Sequence, residues 1–214
     1  MKTWKAALFD LDGVLFDTEP QYTRFWGGEF RRYFPDRPGL EHAIKGQTLN
    51  QLFDQWFSGP LEAERAGLVR RLDAFERDMP YEYVPGALPF VDGLRARGIL
   101  TAVVTSSNAA KMQSVYRVRP EFRDHFDLVL TAECFARSKP FPDGYLEAAR
   151  RLGVAPSACV VFEDSLNGLR SGRAAGMTVV GLTTGHPAAD IAPLSNLQIP
   201  DFRGLTCTGL LARL

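Results

Sequence analysis

The chain has 214 residues, 25 Lys+Arg against 25 Asp+Glu, and a pI of about 6.8. A balanced chain offers no extended cationic surface for nucleic acid or an anionic membrane. No stretch reaches the roughly 18 apolar residues of a membrane span.

The first apolar run, ALF at 7–9, ends in Asp10-Leu11-Asp12-Gly13. From about Asp17 to Pro80 the periodicity is only helical. Tyr22, Trp26, Phe30 and Tyr33 make one stripe, Leu49, Leu52, Phe53, Trp56 and Phe57 a second, and Leu68, Leu72, Phe75 and Met79 a third. FPDRPG and FSGP supply the turns between them. The aromatic stripe at Phe53, Trp56 and Phe57 reads as helix core. Beyond YVPGA, helical patterns (GALPFVDGLRARG, PDGYLEAARRLGV, SLNGLRSGRAAGM) alternate with apolar runs (ILTAVVTSSN, FDLVLTAE, ACVVFEDS, MTVVGLTTG). These runs lack strict alternation, as expected of strands buried on both faces. The pattern predicts an α/β, doubly wound parallel sheet made by residues 1–16 and 81–214, with an all-helical cap over 17–80 inserted after strand one. Cys134, Cys159 and Cys207 are odd in number and form no CxxC pair, so they read as free thiols of a reducing compartment, with a cytoplasmic location expected.

In open α/β sheets ligands bind beyond the carboxyl ends of the strands. There the sequence places Asp10 and Asp12 after strand one, Thr105-Ser106-Ser107-Asn108 after strand two, Lys139 after strand three, and Glu163-Asp164-Ser165 after strand four. Each alone has a plainer reading, as a turn, a helix N-cap or a solvated lysine. Their convergence on one edge is what carries the argument. Clustered carboxylates repel one another unless a cation sits among them, and hard oxygen donors without a His/Cys cluster point to Mg²⁺. Lys139, the Thr105 hydroxyl and a helix-start N–H suit a phosphate dianion. A carboxylate attacks phosphorus without prior deprotonation, which suits Asp10, and Asp12 is close enough to protonate the leaving oxygen.

Four motifs, DLDGVLFDTE, VVTSS, SKPFPDGYLEAARRLGV and VVFEDSLNGLRSGRAAGM, stand in order along nearly the whole chain outside the cap. In these the sequence resembles the haloacid dehalogenase superfamily, and most of all its branch with a helical cap after the first strand. That branch includes β-phosphoglucomutase and many sugar-phosphate phosphatases. The resemblance implies a Mg²⁺-dependent phosphoryl-transfer enzyme. It makes Asp10 the nucleophile and a metal ligand, and Asp12 the general acid/base and, through its carbonyl, a metal ligand. Thr105 and Ser106 become the phosphate grip, Lys139 the charge-offsetting lysine, Asp164 a further metal ligand, and Glu163 beside it a ligand that binds directly or through water.

The cap departs from the mutase pattern. Tyr22 stands where cap mutases carry a histidine. After Lys45-Gly46, in IKGQTLNQ, Leu49 stands where they carry a phosphate-binding arginine. Losing that donor removes about 2 kcal/mol of charge-assisted binding. The expectation is therefore a phosphatase acting on a small phosphorylated metabolite, a sugar or polyol monophosphate, with a phosphosugar mutase as the alternative. A binding protein that merely kept the fold is disfavoured because the whole acid–hydroxyl–lysine–acid set is intact. Glu19, Lys45 and Gln47 are expected at the substrate side of the cap, His186 at most at the cleft rim, and the chain as a monomer.

Overall fold

The computed structural model describes residues 4–44 and 47–214. In chain order the elements are β1 (Ala6–Phe9), α1 (Glu19–Tyr33), α2 (Leu40–Ala43), α3 (Leu49–Trp56), α4 (Arg65–Asp78), α5 (Ala87–Arg95), β2 (Leu100–Val104), α6 (Ala109–Val118), β3 (Leu128–Leu130), α7 (Asp143–Leu152), β4 (Cys159–Glu163), α8 (Leu166–Ala174), β5 (Thr178–Leu182), α9 (Ala188–Ile191), β6 (Leu197–Ile199) and α10 (Cys207–Leu211). No described helix is long and apolar enough to cross a membrane.

The six strands form one parallel sheet in the order β3-β2-β1-β4-β5-β6. The strand order reverses beside β1, so β1 and β4 flank the switch point where such sheets open a crevice. Helices cover both faces, which is why the strands are continuous apolar runs. Phe9, Val103, Phe162 and Val180 face one core with Phe90 and Leu94 of α5. Leu8, Ala102, Val161 and Val179 face the other with Tyr145 and Ala149 of α7 and Leu169 of α8. Phe9 pairs in register with Phe162, and their rings stack at 4.6 Å with 7° between planes. With that register the residues just beyond, Asp10 and Glu163, emerge side by side.

Helices α1 to α4 make a helical insertion with its own core of Trp26, Phe30, Leu52, Phe53, Phe57, Leu68 and Leu72. The cores of α1, α3 and α4 follow the three stripes seen in the sequence. Helix α3 starts in a capping box, with Thr48 and Gln51 bonding each other's backbone N–H. The two connections to the α/β part run together. Phe16 bridges Tyr83 antiparallel, and the Asp17 N–H donates to the Glu82 carbonyl at 2.8 Å. The insertion meets the α/β part where α4 packs along α6.

The structure also holds elements the sequence pattern does not predict: the short α2, α9 and α10, the three-residue β6, and the ten-residue α6.

Candidate active site

Asp10 is the first residue past β1, and its N–H donates to the Phe162 carbonyl at 3.0 Å. Its carboxylate Oδ1 lies 2.5 Å from the Lys139 Nζ. That ammonium also donates to the Val104 carbonyl at 3.1 Å and lies 2.5 Å from Glu163 Oε1. Lys139 is therefore buried between the ends of β1, β2 and β4. Burial opposes its charge, and the Asp10 and Glu163 carboxylates outweigh burial and hold it above the ordinary lysine range. Burial pushes Asp10 up to about 7, with Lys139 pulling it down and Glu163 and Asp12 pushing it further up.

Glu163 is fully buried, and both its oxygens are already occupied. The Tyr145 hydroxyl donates to Oε1 at 2.8 Å, and the N–H groups of Asp164 and Ser165 and the Ser165 hydroxyl donate to Oε2. Room for this carboxylate exists because residue 168 is glycine: a Cβ there would lie 1.9 Å from the Glu163 carboxyl carbon. Asp164 is buried against Gly13, whose φ of +71° suits glycine and whose Cβ would lie 2.1 Å from Asp164 Oδ2. The DG of the first motif is thus a turn and also the space that Asp164 fills. Burial, then the charges of Glu19, Glu163, Asp10 and Asp12, drive Asp164 well above the usual carboxylate range.

Thr105 is the first residue past β2, is buried, and accepts the Ser107 N–H on its Oγ1 at 3.0 Å, which leaves its own O–H proton to donate. Asp12 is held at both oxygens. Thr18 donates to Oδ1 at 2.7 Å, Ser107 to Oδ2 at 3.1 Å, and the Lys111 Nζ lies 2.5 Å from Oδ2. Burial opposes the charge of Asp12, but the Lys111 ammonium and these three hydrogen bonds hold its carboxyl below the usual range. Thr18 sits at the N-cap of α1 yet makes no cap bond with its side chain. Its hydroxyl serves Asp12 instead.

One cavity of about 390 Å³ collects these groups, with Asp10, Asp12, Thr105, Ser106, Lys139 and Asp164 at its floor. Glu19 and Gln47 line it from the insertion, and Gln47 Nε2 donates to Gln55 Oε1 at 3.0 Å. Lys45 lies outside the described residues. The sequence assigns no role to Lys111, Thr18 or Tyr145, and places Ser107 at the edge without one. For Lys111 the signal was present: Asn108 caps α6 by accepting the Lys111 N–H, which makes Lys111 the third residue of a helix starting at the site's edge.

A family model described as haloacid dehalogenase-like hydrolase matches residues 4–176. The chain belongs to the haloacid dehalogenase-like hydrolase family. It is 34% identical over 201 residues to "Hexitol phosphatase A" of Escherichia coli, covering 91% of this chain and 89% of the relative. It is also 30% identical over 224 residues to "Beta-phosphoglucomutase" of Mycobacterium bovis, covering 89% and 85%. Among solved structures, an Entamoeba histolytica HAD hydrolase of family IA, variant 3, superposes with a TM-score of 0.83 over 98% of both chains at 24% identity, a likeness of fold.

The donor set fits the divalent metal that the family implies. Asp10, Glu163 and Asp164 each offer a carboxylate oxygen within 4.8 Å of the other two. The set is all-oxygen, and burial, with the neighbouring carboxylates adding to it, raises both Asp10 and Asp164, a cost of ionisation that a bound cation would offset. With the oxygens of Glu163 already occupied by donors, Asp10 and Asp164 are the freer pair.

Proposed function

We propose that the chain is a Mg²⁺-dependent phosphatase that hydrolyses a sugar or polyol monophosphate through an aspartyl phosphate on Asp10. The carrying observation is that a carboxylate nucleophile, a buried lysine and a second carboxylate beyond β4 meet on the floor of one cavity roofed by the helical insertion. Substrate phosphate would lie on Asp10, gripped by the Thr105 hydroxyl and the Ser106 N–H, with Lys139 offsetting charge. Asp10, Asp164 and the Asp12 carbonyl would hold Mg²⁺, with Glu163 behind them. The metal supplies charge neutralisation at the phosphoryl oxygens. Asp10 attacks phosphorus, and Asp12 gives a proton to the leaving oxygen. Asp12 then takes a proton from the water that hydrolyses the aspartyl phosphate. Its held-down carboxyl suits the base step, and the proton it gives in the acid step is one it first takes from a substrate bound as its phosphate monoanion. Residues 17–80 act as a lid that shields the site from bulk water.

The cavity wall favours hydrolysis over mutase chemistry. The insertion contributes Glu19, Glu41, Asp73 and Glu76 to it, and no arginine or lysine among the described residues. Leu49, where a mutase carries its arginine, is part of that wall. A second phosphate on the substrate would meet acids there. The named activity of the E. coli relative supports the same choice. The test is to supply a sugar 1-phosphate, a catalytic bisphosphate and Mg²⁺. Free phosphate is expected, and accumulation of sugar 6-phosphate would install the mutase instead.

A further inference from the structure

We propose that Lys111 is a positioning residue for the proton transfers of Asp12, and that the helical insertion sets Lys111 through Tyr22 and Glu76. The inference rests on the phosphatase reading above and adds a residue to it.

The geometry carries it. Lys111 is buried, with only 3% of its side chain exposed, and lies 2.5 Å from Asp12 Oδ2. With Thr18 on the other oxygen, it leaves the Asp12 carboxylate little freedom to turn. The ammonium also sits over the Tyr22 ring, 4.7 Å from its centroid. A cation over an aromatic face is attracted to it, more so when desolvated. The Tyr22 hydroxyl in turn donates to Glu76 Oε1 at 2.7 Å, and Glu76 is buried at 8% exposure. Asp12, Lys111, Tyr22 and Glu76 all line the cavity. The chain of contacts runs from the loop after β1, through α6, to α1 and α4, and so joins the acid/base residue to the insertion. A surface ion pair of this kind would be replaceable. A buried one, aimed at the group that must meet the leaving oxygen, constrains that group's position.

A leaving-group comparison separates this role from simple packing. An alkyl alkoxide needs a proton to leave, whereas p-nitrophenolate leaves without one. In single-turnover reactions, which read leaving-group release ahead of the water step that Asp12 also serves, Lys111→Met is expected to lower the release rate for a hexitol 6-phosphate about 100-fold, the scale of a misplaced general acid, with KM little changed. The release rate of p-nitrophenolate is expected to fall by less than about tenfold, since its departure does not draw on the acid. In an Asp12→Asn background, Lys111→Met is expected to add no further loss, because the two act as one unit. Tyr22→Leu, which removes the ring and leaves the Asp12–Lys111 contact, reads the same ratio if Lys111→Met does not fold, with a smaller loss in the same direction. Equal losses on both substrates, a loss confined to KM, or additive losses with Asp12→Asn would overturn the assignment and leave the phosphatase reading standing. A wild-type chain that releases phosphate from neither compound in Mg²⁺ would overturn the phosphatase reading itself, and this assignment with it.

Discussion

Lys139→Met removes the ammonium placed between Asp10 and Glu163. Both carboxylates lie in contact with its ammonium, and neither the Asp10 nor the Glu163 side chain is more than 12% exposed. Deleting one partner of a buried ion pair costs about 3–5 kcal/mol. For a chain of this size each kcal/mol moves the midpoint by about 2–4 °C, so the variant should melt roughly 6–20 °C lower. The loss should also depend on pH. Asp10 already sits at about 7 with Lys139 pulling it down, and without Lys139 it rises further. A carboxyl raised in the folded state favours folding while it is protonated and loses that contribution as pH climbs to its folded pKa. Below about 7 Asp10 is protonated in both proteins, and above it the variant goes on losing stability where the wild type levels off. Urea unfolding in EDTA at about pH 6 and about pH 9 should therefore show a deficit that widens at the higher pH. A deficit that is constant, or wider at the lower pH, would refute the reasoning.

Three further substitutions follow from the same geometry. Gly13→Ala places a Cβ 2.1 Å from Asp164 Oδ2 at a φ of +71°. It should cost about 1–2 kcal/mol of backbone strain and, by displacing Asp164, weaken Mg²⁺ binding in calorimetry and suppress turnover. Phe9→Ala removes the ring stacked on Phe162 and should cost about 3–5 kcal/mol in urea unfolding. Because Asp10 directly follows Phe9, turnover per folded molecule should fall too. Tyr145→Phe takes one donor from the buried Glu163 carboxylate and should cost about 1–3 kcal/mol, read from the unfolding midpoint.

The sheet was legible because β1 to β5 are apolar runs, three of which end in a chemically distinctive residue. Asp10, Thr105 and Glu163-Asp164 all lie at strand ends, so their order along the chain already implied one edge. The stripes of α1, α3 and α4 were legible because each buries one face against the others. The strand β6 was not, since three residues, Leu197 to Ile199, give no period to read. Helix α6 was hidden differently. Its stripe, Met112 and Val115, is short. With α6 went Lys111, whose value lies in a pairing with Asp12 across 99 residues of sequence. Glu163 stands beside Asp164 in the sequence, where the resemblance makes it a metal ligand, direct or through water. Only the structure shows its oxygens taken by Tyr145, Lys139 and Ser165.

The most direct test of the central claim is to trap the covalent intermediate on Asp10. The wild-type chain is mixed with substrate and Mg²⁺, quenched in acid during turnover, treated with borohydride and digested for mass spectrometry. Borohydride reduces an acyl phosphate to the alcohol, so position 10 should appear as homoserine in the substrate-treated sample and as aspartate without substrate. Phosphate release with position 10 unreduced, or with the homoserine at another aspartate, would contradict the account.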